Sequence, residues 1–373
     1  MPIELLGLTL EALRRLAVEW GEPPYRGNQL YHALYAEECL EFSRMTSLPR
    51  GLRARLEREA CLTPPRVEKR YTSADGTIRY LLRLPAATGD ELSSDEGRSV
   101  PPERGDSSSS SVSVETVWMP EAARQTLCLS TQAGCAVDCH FCATAQLGLL
   151  RNLSAREIVG QVLVARADHR RHLRPSTNIV LMGQGEPLLN YDATLRAVRL
   201  LADPAGMSIP LKSITLSTVG IIPGIRRLAE EEVRPRLAVS LSATTEEQRN
   251  ALMPINRKYP LGELLEVCRQ YPLRLRERLT FEYVLVGGFN DTPADARRLA
   301  QLLAGLRAKV NLIPWNPAPG LPYCAPDEVR VADFQRTLRQ AGRLAFIRRP
   351  RGQDIFAACG QLASWETSTP APV

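Results

Sequence analysis

Apolar residues recur at helical spacing over Leu8 to Val18, Asn28 to Tyr35 and Leu52 to Leu56, which predicts a small unit of amphipathic helices at the start of the chain. Two strand-like runs follow, Val67 to Thr72 and Thr77 to Leu84, and residues 1–88 are read as one N-terminal helical domain with short strands. The apolar pattern then stops. Gly89 to Ser113 is acidic, Gly, Pro and Ser, with five consecutive serines at Ser107 to Ser111, and cannot offset the entropy of ordering. It is expected to be a flexible insertion joining two strands. From Thr126 onward, short apolar runs alternate with longer helical patterns at intervals of roughly thirty to forty residues, the rhythm of β/α units and a parallel sheet. Strands are expected near Thr126–Ser130, Asn178–Met182, Ser213–Ser217, Arg236–Ser240, Thr280–Val286 and Val310–Ile313, within a second domain over 114–364. Residues 365–373 are expected to be a disordered tail.

Composition narrows the picture. The 373 residues, 44% apolar, suffice for one large domain and a smaller one. No window has the ~18 uncharged apolar residues of a membrane span. The start, Met1-Pro-Ile-Glu-Leu-Leu, is no secretory signal, so a cytoplasmic protein without membrane contact is expected. Nine cysteines in that compartment favour cluster ligands and catalytic thiols over structural disulfides. Net charge is +6, and Lys69, Lys212, Lys258 and Lys309 are the only lysines among 47 cations. Arginine suits phosphate contact and stacking on bases, although codon bias or a solvated face explains such a preference equally well.

The stretch Cys135-Ala-Val-Asp-Cys139-His-Phe-Cys142 carries the chemistry. Three thiolates at short intervals suit an incomplete metal shell: around a four-iron cube they leave one iron open, whereas structural zinc closes with four ligands. Three buried cysteines, or a zinc knuckle with a distant fourth ligand, remain the alternatives at this point.

The spacing resembles the radical S-adenosylmethionine (SAM) signature, and the longer run Thr126 to Gly148 resembles the RlmN/Cfr family of adenine methyltransferases. Gly183-Gln-Gly-Glu-Pro-Leu-Leu-Asn190, Thr215 to Gly220, Met253 to Pro260, Val310 to Pro317 and Arg351 to Leu362 agree in order. The resemblance implies a partial parallel (β/α)6 radical SAM barrel, a [4Fe-4S] cluster on Cys135, Cys139 and Cys142, and SAM on the open iron. It places SAM contacts at Gly185, Glu186, Ser217, Ser240, Leu241, Ser242 and Asn316; relatives usually carry histidine at the Ser242 position. Cys135, Glu186, Ser217, Ser240 and Asn316 also fall at the carboxyl ends of the expected strands, where parallel barrels keep their reactive groups.

The same resemblance makes Cys359 a methyl-carrying nucleophile, Cys128 the thiol that later attacks its sulfur, and Glu115 the acceptor of the adenine proton. It implies methylation of carbon 2 of an adenosine in 23S rRNA near the peptidyl-transferase centre. In some relatives the adenosine beside the tRNA anticodon is also a target. An unstacked target base, an external flavodoxin-like electron donor and a monomer are expected, with Arg26, Arg50, Arg53 and Arg55 as candidate phosphate contacts. Within the family, Cfr-type methylation of carbon 8 is the alternative. A non-catalytic, cluster-containing RNA-binding assembly factor is the alternative from another class.

Overall fold

A computed structural model of the chain describes residues 2–85 and 112–363. The insertion as far as residue 111 and the tail 365–373 lie outside the described residues. The helical periodicity becomes α1 (Leu10–Glu19), α2 (Tyr25–Tyr35) and α3 (Arg50–Glu59), and a short parallel pair, β1 (Ile3–Glu4) with β2 (Ala60–Cys61), ties the two ends of this unit together. Thr9 caps α1 by accepting from the Ala12 amide, which satisfies one of its unpaired donors. The unit docks through charge and hydrogen bonds: Arg156 pairs with Glu4 at 3.0 Å, Arg166 with Glu38 at 2.6 Å, and the Tyr31 hydroxyl donates to Asp203 at 2.8 Å. Its apolar face, with Leu13, Leu34 and Tyr35, belongs to the same core as the rest of the chain.

Antiparallel strands β3 (Arg66–Thr72), β4 (Ile78–Arg83) and β5 (Ser113–Pro120) lead into β6 (Arg124–Cys128). Arg83 lies opposite Ser113, so the insertion does join neighbouring strands, but Ser113 itself is paired strand rather than insertion. Because β5 pairs with β4 on one side and β6 on the other, the two strands grouped by sequence with the helices are hydrogen-bonded into the large sheet instead. Apolar alternation marks a strand but does not name its partner.

A separate antiparallel ribbon, β7 (Gln132–Gly134) with β8 (Leu149–Asn152), precedes α4 (Ala155–Asp168). Ser154 and Glu157 close that helix with a capping box. The chain continues as β9 (Ser176–Leu181), α5 (Tyr191–Ala202), β10 (Ile214–Thr218), α6 (Ile222–Glu230), β11 (Arg236–Ser240), α7 (Glu246–Leu252), α8 (Leu261–Gln270), β12 (Leu279–Leu285), α9 (Pro293–Leu302), β13 (Ala308–Pro314), α10 (Glu328–Gln340) and β14 (Leu344–Ile347). The ten-stranded sheet runs β14-β13-β12-β11-β10-β9-β6-β5-β4-β3, parallel from β14 to β6. All six expected parallel strands are present. β14 is a seventh, an edge strand that pairs with β13 while leaving Leu344 and Phe346 exposed, so its four residues carry little apolar signal.

Alternation along β12 shows what shapes the sheet. Leu279, Phe281, Tyr283 and Leu285 are fully buried in the core shared with α4–α6 and α8–α10. Burying a side chain such as Phe281 contributes on the order of 2–3 kcal/mol. The intervening Thr280, Glu282 and Val284 line a cavity of about 470 Å³ together with Thr126, Cys128, Asn178, Val180, Thr215, Ser217, Ser240 and Asn311. A flat sheet would spread these positions across roughly 24 Å at the usual strand spacing. They meet at one cavity because the sheet is curled into an open, partial barrel.

Candidate active site

Cys135, Cys139 and Cys142 occupy the loop between β7 and β8, which is pinned at both sides. The Cys135 amide donates to the Gly148 carbonyl at 2.9 Å and the His140 amide to that of Leu252 at 2.9 Å. Gly134 has φ +72°, and a Cβ there would lie 1.9 Å from the Gly148 oxygen, so only glycine permits this approach. Cys139 packs with Val137, Leu252, Met253, Val286 and Trp315, and the Trp315 indole donates to the Phe141 carbonyl at 2.9 Å. Burial pushes the Cys135 thiol up to about 12 and that of Cys139 well above its usual value; Cys142 and Glu186 act on both as negative neighbours, and Cys135 acts on Cys139 as well.

Thiols raised as those of Cys135 and Cys139 are become thiolates only against a strong positive charge. Among the described residues, no three His, Cys, Asp or Glu side chains gather closely enough for a single metal ion. Thiolates sharing one zinc would stand about 3.8 Å apart, whereas a four-iron cube takes each at its own corner. An all-thiol set of three therefore fits a cluster with one open iron better than the zinc knuckle.

Beside this loop the chain after β9 turns at Gly185, with φ +97°, where a Cβ would come within 2.5 Å of Gln132. That turn aims Glu186 inward. Its carboxylate accepts from the Leu188 amide at 3.0 Å and the Val219 amide at 2.8 Å, yet burial outweighs these bonds and pushes it up to about 7. A bound ammonium would restore its charge, which suits the amino end of SAM. Ser217, Ser240 and Asn316 share the cavity wall with Gly185 and Glu186. Leu241 and Ser242, expected among the SAM contacts, do not reach it: both are fully buried. Ser242 adopts φ +50° and turns its hydroxyl to the Val284 amide at 3.3 Å, a hydrogen bond that consumes the short side chain within the core.

Cys128 and Cys359, distant in sequence, both line the cavity. Cys359 sits on a segment clamped from three directions. Arg351 bonds Asp75 at 2.7 Å and Ser73 bonds Asp354 at 2.6 Å in the β3–β4 turn; the Ala143 amide donates to Gly360 at 2.7 Å; and Asn316 donates to the Cys359 carbonyl at 3.1 Å. Burial works against the Asp75 charge, but bonds from Thr77, Arg351 and Gly352 prevail and hold it far below the usual carboxylate range. Cys359 keeps solvent access through the cavity while protein surrounds it elsewhere; burial raises its thiol, Glu282 raises it further, and Arg348 opposes them. Burial also raises the Cys128 thiol, and its next largest influence is Cys359. Both thiols line the one cavity.

Glu115 lies beneath the cavity rather than on its wall. It is 1% exposed, pairs with Arg79 at 2.5 Å and accepts from the Gln184 amide group at 3.1 Å. It nevertheless shares the face of Cys128, since Val117, two residues along β5, pairs with Cys128 across the sheet.

Sequence reasoning missed part of the wall. Arg124, Lys212, Arg236, Lys309, Arg348, Arg349 and Arg351 line the cavity against Glu121, Glu186 and Glu282, an excess of cations suited to a polyanion. The available signal was polar residues at alternate positions of otherwise apolar strands. Of the expected phosphate contacts, Arg53 and Arg55 hold the helical unit together through the Ser43 and Trp20 carbonyls, and Arg26 bonds Gln29 at 2.7 Å. Arg50 is an exposed residue at the start of α3.

Residues 129–303 match the model of the radical SAM superfamily, and residues 3–62 that of the ribosomal RNA large subunit methyltransferase N-terminal domain. The probable dual-specificity RNA methyltransferase RlmN of Koribacter versatilis is 47% identical over 366 residues, covering 94% of this chain and 98% of the relative. The dual-specificity RNA methyltransferase RlmN of Anaeromyxobacter sp. is 45% identical, covering 97% and 90%. The chain belongs to the RlmN family. A solved radical SAM methyltransferase from Sphaerobacter thermophilus superimposes with a TM-score of 0.85 at 43% identity, over 97% of this chain and 99% of that one. RlmN membership makes the chain a SAM-dependent RNA methyltransferase whose superfamily works with a [4Fe-4S] cluster and SAM. Among its described residues no helix is long and apolar enough to cross a membrane.

Proposed function

We propose that this protein methylates carbon 2 of an adenosine in 23S rRNA, and of the adenosine beside the tRNA anticodon, through a methyl group carried on Cys359. The observation that carries this reading is the meeting of Cys128, Cys359, Cys142 and Glu186 on one cation-rich cavity. The double target rests on relatives described as dual-specificity RNA methyltransferases. A non-catalytic RNA-binding factor would not need paired thiols beside the cluster loop.

Cys135, Cys139 and Cys142 would hold the cluster, and Glu186, Ser217, Ser240 and Asn316 would hold SAM. When bound, these groups supply a methyl donor and, with an electron from an external flavodoxin-like donor, the radical that removes hydrogen from the S-methyl group. The chain's own contribution is positioning. Asn316 and the clamp fix Cys359 against the adenine, the cavity cations hold the RNA backbone, and the target base must be unstacked to enter. Cys128 then attacks the Cys359 sulfur, releasing the RNA and leaving a disulfide for the next reductant. Arg79 and Gln184 hold Glu115 on the sheet face of Cys128, where the resemblance has it accept the carbon 2 proton.

The test is nucleoside mass spectrometry of RNA from cells lacking the gene, complemented with wild type or Cys359→Ala. Wild type should restore 2-methyladenosine in both RNAs and the variant in neither. Restoration of 8-methyladenosine would assign the other carbon.

A further inference from the structure

Glu186 is held through both its backbone and its carboxylate. Gln132 on the β7–β8 ribbon accepts its amide at 2.9 Å, while the Leu188 and Val219 amides donate one to each carboxylate oxygen, at 3.0 and 2.8 Å. Leu188 belongs to the same turn as Glu186, but Val219 comes from the loop after β10. We infer that Arg249 is the positioning residue that fixes this loop and, through Val219, sets the Glu186 carboxylate for the amino end of SAM; this rests on the SAM contact proposed for Glu186.

Arg249 stands in α7 and is fully buried. Its Nη2 donates to the Val219 carbonyl at 2.6 Å and lies 3.5 Å from that of Ser240; its Nη1 donates to Asn256 Oδ1 at 2.8 Å and to the Tyr259 carbonyl at 3.4 Å. One planar fork thus ties the ends of β10 and β11, which carry Ser217 and Ser240, to the segment after α7. Val219 is gripped at its amide by Glu186 and at its carbonyl by Arg249. Gly220, next in the loop, has φ +107°, and a Cβ there would come within 2.7 Å of Leu264 and 3.4 Å of Arg249 Nη2, so the chain fits closely around the guanidinium.

The same residue is joined to the cluster loop. The Met253 amide donates to the Arg249 carbonyl at 2.7 Å, and the Leu252 carbonyl between them in sequence accepts the His140 amide at 2.9 Å. Arg249 does not line the cavity, so it acts on SAM through Val219 and Glu186 rather than by contact. Among the described residues its hydrogen-bond acceptors are all neutral. Burying a guanidinium without a carboxylate partner costs stability, and an apolar residue of similar volume would fill the space without that cost. What it could not supply is the bond to Val219.

The test is a double-mutant cycle on SAM affinity, read by equilibrium dialysis of the reconstituted protein. Arg249→Met should keep about four irons per chain and weaken SAM binding by about 10- to 100-fold, and Arg249→Lys should recover part of the loss. On a Glu186→Gln background, Arg249→Met should weaken binding by no more than about 3-fold further, because the group it positions is gone. A second readout needs no cofactor: the Val219 amide of the iron-free protein should exchange its hydrogen faster in Arg249→Met. Wild-type SAM affinity or an unchanged exchange rate in Arg249→Met overturns the inference. Losses that multiply in the double variant overturn it as well, since a general loosening of the fold would act independently of Glu186. Loss of iron would make Arg249 a support of the cluster loop and has the same consequence. If Arg249→Met does not fold, Arg249→Lys takes its place in the cycle under the same criteria. If Glu186→Gln binds SAM as wild type does, the SAM contact proposed for Glu186 fails along with the inference; a weakened Glu186→Gln with multiplying losses sinks the inference alone.

Discussion

Cys128→Ala should convert the enzyme into one that remains covalently attached to its RNA. Cys128 makes none of the hydrogen bonds that clamp the cluster loop or the Cys359 segment, and alanine keeps most of its small apolar contact with Ile355 and Ala357, so loading and attack on the adenine should proceed. What disappears is the sulfur whose attack releases the product. Among the described residues the cavity holds Cys128, Cys359 and Cys142, and Cys142 belongs to the cluster loop, so no equivalent thiol stands ready to replace Cys128. A thiol of high pKa is a slow nucleophile until deprotonated, but an intramolecular attack within one cavity tolerates a small thiolate fraction. The adduct should approach about one RNA per protein on a denaturing gel, resist boiling and collapse with nuclease. Cys359→Ala should show no such band. Normal turnover by Cys128→Ala, or equal adducts from both variants, would remove the two-thiol mechanism.

The second large effect concerns the cluster loop. Replacing Cys135, Cys139 and Cys142 together by alanine should abolish iron binding, from about four irons per chain to none after anaerobic reconstitution, and with it all RNA methylation. The fold should survive. The loop is anchored by backbone bonds from Cys135 to Gly148 and from His140 to Leu252, and the thiols add weak contacts such as that from the Val137 amide to the Cys135 sulfur at 3.4 Å. Only Cys139 of the three is buried, so little packing is lost and the melting temperature of the iron-free proteins should differ by no more than a few degrees. Retained iron in the triple variant would mean that the cluster sits elsewhere.

The strands that carry the cavity were legible because the pleat exposes its alternation: Leu279, Phe281 and Tyr283 against Thr280 and Glu282 reads as one strand between two different environments. The site cysteines were legible through their spacing and flanking residues. Other features depend on contacts remote in sequence. Nothing local to Glu115 reveals that Arg79 will cover it, and nothing local to Ser242 reveals a left-handed backbone with the hydroxyl turned to Val284. Glu282 escaped notice because its strand neighbours look like ordinary core, and only the curl of the sheet gives its side chain a shared cavity with Cys359. β14, with Ala345 as its one buried residue, is held by hydrogen bonding to β13, a term that side-chain pattern does not report.

The central claim, that the methyl carbon passes to RNA by way of Cys359, has a direct test. The enzyme is loaded with a trideuterated methyl group on Cys359, freed of labelled SAM, and given unlabelled SAM, a reductant and RNA for a single turnover. The adenosine product is then weighed by mass spectrometry. Transfer through Cys359 predicts a methyl group carrying two of the three deuteriums, because one is removed before the carbon is transferred. A methyl group with no deuterium, delivered straight from the unlabelled SAM, would contradict the account.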